Sequence, residues 1–161
     1  YKDWAKAQRK FLYNDEAVET DPLLGNMRRN LLAENHLIQM DGFDTDLIRL
    51  AEQNPSNNAA FHYAGVFYLL AKDMMRFKTL VETYYGTDLL PSLPVSFQEA
   101  VIILSEKDPD YWKRFGVSES IVGRFTDYKR QVLAGRNNSN ALPGLMYRSY
   151  GDTYWYYYMF K

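Results

Sequence analysis

The chain has 161 residues and a formal net charge of −1, with 47% hydrophobic and 24% charged residues. That is the length of one packed domain, too apolar for intrinsic disorder, with no general attraction to nucleic acid or to an anionic membrane. Cysteine is absent, which excludes disulfides, thiolate zinc sites and cysteine nucleophiles.

Helical periodicity dominates from the first residues. A helix is predicted over about Lys2–Tyr13, with Trp4, Ala7, Phe11 and Leu12 on one face. Asn14 to Thr20 reads as an acidic connector. Asp21-Pro22 supplies an N-cap followed by proline at the first helical position, opening a second helix that runs to about Met40. Asp41-Gly42 breaks it, Asp44 is placed as the next N-cap, and a short third helix ends before Asn54-Pro55. Two amphipathic helices then fill residues 58–85, with the turn at Lys72-Asp73 and the stripe Phe77, Leu80, Val81 and Tyr84 on the second. After the proline-punctuated segment TDLLPSLP, a helix over about Val95–Glu106 carries Phe97, Ala100, Val101 and Leu104. Asp108-Pro109 opens a short helix that stops at Gly116. Ser118 caps a longer one to Ala134, facing inward with Ile121, Phe125, Tyr128 and Val132. Residues 135–144 form a polar loop, and one last helix is predicted from about Leu145 to Phe160.

Within the first helix of the 58–85 pair lies Phe61-x2-Ala64-Gly65-x2-Tyr68, the spacing W-x2-L-G-x2-Y of a tetratricopeptide-type repeat. It recurs as Tyr147-x2-Tyr150-Gly151-x2-Tyr154. A mid-helix glycine costs about 1 kcal/mol relative to alanine, so Gly65 and Gly151 are both expected at close helix–helix contacts. The expected fold is all-α, a single domain of eight or nine helices in tetratricopeptide-like hairpins (an α-solenoid), with the 58–85 pair at its centre.

The stretch NPSNNAAFHYAGVFYLLAKDMMRF, followed by LPSLPVSFQEAVIIL, resembles the C-terminal region of an uncharacterised bacterial family, a domain of unknown function. The resemblance covers about residues 1–110 and is strongest over 54–104. Proteins of that family carry membrane-spanning helices near the N-terminus and a tetratricopeptide-like region after them. It implies a membrane-anchored helical domain on the extracytoplasmic (periplasmic) side of a bacterial membrane, and it brings no activity and no functional residues. The chain itself has no long apolar segment: its longest apolar run, Ala64 to Ala71, is eight residues. Because it begins at Tyr1 and not at Met, it reads as a piece excised from a longer protein.

Chemistry-bearing patterns are sparse. His36 and His62 fit no metal or general-base spacing, and the run Asp41 to Asp46 lacks the loop length and terminal Glu of an EF-hand. Asp108 and Asp110 suit a helix start, and Asn137-Asn138-Ser139 matches a glycosylation sequon that arises readily by chance. No nucleophile elbow, phosphate loop or dinucleotide fingerprint occurs. No catalytic residue, metal site or cofactor is assigned. Residues 14–54 hold nine acids against three arginines, and 107–136 hold seven bases against four acids. Solvated helix faces account for this, with a charge-complementary partner as the alternative.

Aromatic residues are the unusual resource: 14 Tyr, 9 Phe and 3 Trp, or 16% of the chain, with residues 154–160 almost unbroken. Core packing accounts for most of them, and the rest could stack on peptide side chains or sugars. The expected function is a non-enzymatic protein-interaction scaffold gripping a peptide or partner protein in a helical-repeat groove, with no nucleic-acid partner. A carbohydrate-binding module with aromatic platforms is the second reading, and an enzyme of unrecognised class the third. Taking Phe61, Phe97 and Tyr147 as equivalent core positions puts His62, Gln98 and Arg148 in the groove. Asp152 and Trp155 join them by counting helical turns onward from Arg148. Plain solvated helix faces are the competing explanation for these five.

Overall fold

The computed structural model describes residues 1–29, 31, 42–55, 58–106, 108 and 110–161. The predicted remainder of the second helix to Met40, with His36 and Asp41, and also Pro109 at the short helix start, lie outside the described residues. Among those described there are ten α-helices and no β-strand, only an isolated bridge between Tyr85 and Leu90. They group into two compact units, residues 1–61 and 62–161.

The first unit holds α1 (Lys2–Gln8), α2 (Asp15–Thr20), α3 (Pro22–Arg29) and α4 (Phe43–Gln53). The predicted first helix breaks into a 3₁₀ turn at Arg9–Phe11, and α1 buries nothing: Trp4 and Leu12 are exposed. The expected acidic connector is a helix, α2. Asn14 caps it by accepting from the Ala17 backbone N–H at 3.0 Å, and Asp15 and Glu16 lie in its first turn, where carboxylates complement the helix dipole. Asp21 caps α3 as expected, its Oδ1 accepting from the Leu23 and Leu24 amides at 3.0 Å. In α4 the N-cap position falls on Gly42, so Asp44 sits inside the first turn.

The chain continues through α5 (Ala59–Leu70) into the second unit, which holds α6 (Met74–Tyr84), α7 (Val95–Leu104), α8 (Glu119–Gly135), α9 (Leu142–Tyr150) and α10 (Tyr154–Phe160). The turn after α5 is where it was predicted: Lys72 takes a left-handed φ of 56°, and Asp73 caps α6 by accepting from Arg76 N–H at 3.0 Å. The short helix after Asp108 is a 3₁₀ turn, Tyr111–Phe115. The gathering element of this unit is α7, packed against α6, α8, α10 and the 3₁₀ turn, where the 58–85 pair had been expected at the centre. Its Phe97, Ala100, Val101 and Ile102 are buried. Along α8, Ile121, Phe125 and Val132 pack with buried Tyr128 against Met146, Tyr150 and Trp155, so this predicted inward face is the observed one.

The predicted last helix is two helices. Leu142 opens α9, with proline in its first turn, and α9 ends at Tyr150. Thr153 then caps α10, its Oγ1 accepting from Tyr156 N–H at 3.3 Å. Gly151 is therefore the C-cap of α9 and not a mid-helix residue. A Cβ there would meet the ring and carbonyl of Tyr147 in its own preceding turn, not a neighbouring helix. Gly65 does lie at a close helix–helix contact, against Phe97 of α7.

Three of the four tyrosines of α10 spend their hydroxyls on the backbone, Tyr154 and Tyr156 with buried rings and Tyr157 half-buried, while Tyr158 is exposed. Tyr154 donates to the Leu69 carbonyl at 2.9 Å and Tyr157 to the Leu70 carbonyl at 2.8 Å. These are carbonyls of the last turn of α5, which have no partner within their own helix. Tyr156 likewise donates to the Pro143 carbonyl at 3.2 Å.

Candidate functional site

Of the five residues expected to share a groove, His62, Gln98 and Trp155 have separate surroundings in the second unit, and Arg148 and Asp152 share one. His62 is half-buried with its imidazole edge-on to Phe97, the ring centres 6.2 Å apart. Gln98 spans a loop and a helix start: its Nε2 donates to the Leu93 carbonyl at 2.9 Å, and its Oε1 accepts from Ser118 N–H at 3.0 Å. That bond serves the first turn of α8. The Ser118 hydroxyl pairs with Ser120 instead, so Ser118 holds the N-cap position without capping through its side chain. Arg148 and Asp152 do come together, bordering a shallow 620 Å³ depression with Arg124 and Tyr147.

In that depression the Arg124 guanidinium donates to Asp152 Oδ1 at 2.7 Å and to the Ser149 carbonyl at 3.0 Å. The bond from Arg124 holds the Asp152 carboxyl below the usual carboxylate range. Tyr147 stands 62% exposed at its edge.

Trp155 is the correction. It is 1% exposed, stacked at a tilt on Phe125 with ring centres 5.0 Å apart, and so presents no face to solvent. The expectation counted turns along one continuous helix. The break at 151–153 resets that count, and α10 turns Trp155 into the core.

Beside Trp155 lies a pocket that the sequence did not announce. It has a volume of 290 Å³ and lies between the end of α7 (Ile103), α8 (Phe125, Tyr128, Val132) and α10 (Trp155, Met159). Lys129 and Glu106, paired at 3.4 Å, border it too. A second depression of 530 Å³ shares Ile103, Glu106 and Tyr158 with the first. Its charged groups are arranged in pairs, Lys78 with Glu82 at 3.7 Å and Arg114 with Asp108. Burial pushes the Tyr128 phenol up to about 12, and its hydroxyl contacts the Trp155 carbonyl at 3.3 Å and Met159 Sδ at 3.1 Å. It is a neutral donor, not a base. The one signal for this site was the α8 stripe, which reads equally as core.

A buried carboxylate was also missed. Glu99 on α7 is 4% exposed and accepts from the Tyr154 backbone N–H at 2.7 Å. Burial raises its carboxyl above the usual range, outweighing the opposing hydrogen bond and the charge of Arg124. The folded chain thus holds this proton to higher pH than the unfolded chain. Stability falls as pH rises from the unfolded carboxyl value to the folded one, and the penalty persists above it. Glu99→Gln keeps a carbonyl oxygen for Tyr154 and is expected to melt above the parent at neutral pH. The two should converge below about pH 4. Thermal melts across that range check this, and a variant that melts lower at neutral pH contradicts it. Among the described residues no three histidine or acidic side chains come together as a metal site.

The sequence profile of a family of unknown function, DUF6057, matches residues 1–161. The chain belongs to the DUF6057 family. No curated protein and no solved structure matches it. DUF6057 membership brings no activity and no residue roles, so the functional reading rests on the geometry of the second unit. Among the described residues of this DUF6057 chain, no helix is long and apolar enough to cross a membrane.

Proposed function

We propose that the chain is a non-enzymatic interaction domain of helical-repeat type, which takes a peptide or a partner's segment in a groove of its second unit. The observation that carries this reading is the pair of depressions sharing Ile103, Glu106 and Tyr158. One is lined by rings and aliphatic side chains, the other by paired charges. A peptide in such a groove would seat an apolar anchor in the first and lay polar residues across the second, the division of labour common in peptide recognition. In this reading the domain is displayed outside the cytoplasm by a membrane tether, as the family resemblance implies.

Leu133 tests the reading, because it borders the apolar pocket and is 61% exposed, so replacing it leaves the core alone. Peptides selected by display on the parent chain should bind Leu133→Glu at least about tenfold more weakly, since the new carboxylate must lose water against an apolar anchor. Undiminished binding would falsify the groove.

A glycan is the second reading, favoured by the exposed Tyr147 ring beside Arg148 and Asp152. Sugar recognition uses a ring face flanked by charged hydrogen-bonding groups. Glycan-array binding that is lost in Tyr147→Ala supports it, and a blank array removes it.

A further inference from the structure

No residue of α1 is buried, and Trp4 stands 67% exposed. Leu12 and Tyr13, just past the 3₁₀ turn, are exposed as well. The charges of this segment are segregated. At about 100° per residue, Trp4, Ala7 and Phe11 fall on one side and Lys2, Lys6 and Arg9 on the other. Lys10 lies at the border, its ammonium 4.5 Å from the centre of the Phe11 ring. Residues 1–13 thus set four bases against the single acid Asp3, although the whole chain carries −1. Among the described residues none of these four bases is paired with a carboxylate. Asp15 and Glu19, the acids of the next helix, turn to Arg28 at 2.7 and 3.6 Å, and Asp21 caps α3.

We propose that α1 and its 3₁₀ turn form a contact with the surface of an anionic lipid bilayer. Trp4 and Leu12 dip to the edge of the hydrocarbon, and the four bases lie among the lipid phosphates. An exposed helical segment with bases on one side and Trp, Phe and Leu on the other has the pattern of an interfacial element. An acidic protein partner suits it less. Three of the four bases are lysines, and holding a lysine against a rigid surface costs its rotamer freedom, in keeping with the depletion of lysine at protein interfaces. A fluid layer of phosphates attracts the same charges without fixing any of them. This contact belongs to the first unit alone and is independent of the groove in the second.

The test sediments the 161-residue chain with vesicles of phosphatidylcholine, alone or mixed with phosphatidylglycerol. The chain should partition onto the mixed vesicles, leave them as salt is added, and stay off phosphatidylcholine alone. Lys2→Gln and Lys6→Gln together should weaken partitioning at least about tenfold, at roughly fivefold per base. In a Trp112→Phe background the emission should move to shorter wavelength on binding. Trp4 is its source, because Trp155 is 1% exposed and already screened from water. Trp4→Ala empties no core site, so the weaker partitioning expected of it should come with an unchanged melting temperature. Failure to bind the mixed vesicles overturns the proposal. So do equal partitioning onto both kinds of vesicle, binding that the lysine changes leave intact, and an emission that does not move. Binding to poly-glutamate with none to vesicles also overturns it, in favour of an acidic protein partner.

Discussion

Replacing Phe97 with alanine should destabilise the second unit by about 3–5 kcal/mol, the range for emptying a buried phenylalanine site. Phe97 is 1% exposed at the centre of α7. Its ring stands at 90° to that of Phe77 with centres 5.1 Å apart, and it fills the space left by the missing side chain of Gly65. The helices around it are held by further contacts, such as Tyr154 N–H to Glu99, so they cannot collapse freely into the void. Denaturant unfolding in a Trp4→Phe background, followed by the fluorescence of Trp112 and Trp155, which then report on residues 62–161, measures the loss. A change under about 1 kcal/mol, typical of surface positions, would mean that this ring is not the centre of the packing.

Gly65→Ala should also destabilise, although alanine is the better helix former by about 1 kcal/mol. A Cβ at position 65 would come within 2.8 Å of Phe97 Cε2 and closer still to Cζ. The far end of a flexible side chain could step aside, but this ring is 1% exposed and has the Phe77 and His62 rings edge-on to it. Overpacking of this kind costs about 1–3 kcal/mol, which exceeds or cancels the propensity gain. The decisive comparison is a double-mutant cycle. In a Phe97→Ala background the clash is gone, and the same glycine substitution should stabilise by up to about 1 kcal/mol. A raised melting temperature for Gly65→Ala alone would show that the ring has room to move.

Much of the helical layout was legible because burial imposes a 3.6-residue period on sequence. The stripes of α6 and α8, the Asp21-Pro22 start and the Lys72-Asp73 turn all fall where predicted. Gly65 was legible for a different reason: a helix tolerates a poor helix former when a neighbouring side chain needs the space. Gly151 looked identical in the pattern, yet it marks a helix end, since a glycine serves equally as a close contact or as a cap. The acids of α2 concealed a helix for a related reason, because the same residues that solvate a loop also complement the first turn of a helix. Trp155 was misplaced by extrapolating a phase across the break at 151–153. The pocket was not legible at all. Its walls come from α7, α8 and α10, and no local spacing encodes where three helices fail to fill the space between them.

The phenol bonds of α10 carry a consequence for the order in which the second unit is made. Tyr154 reaches a carbonyl 85 positions earlier in the chain, and Tyr157 one 87 positions earlier. Closing loops of that size is entropically slow, so local pairs such as α8 with α9 should assemble ahead of it. During synthesis, the end of α5 and the buried carboxylate of Glu99 wait for residues 154–157 to leave the ribosome. Until then α7 exposes the apolar surface that α10 will cover, and the nascent chain passes through a sticky intermediate whose lifetime is set by translation speed.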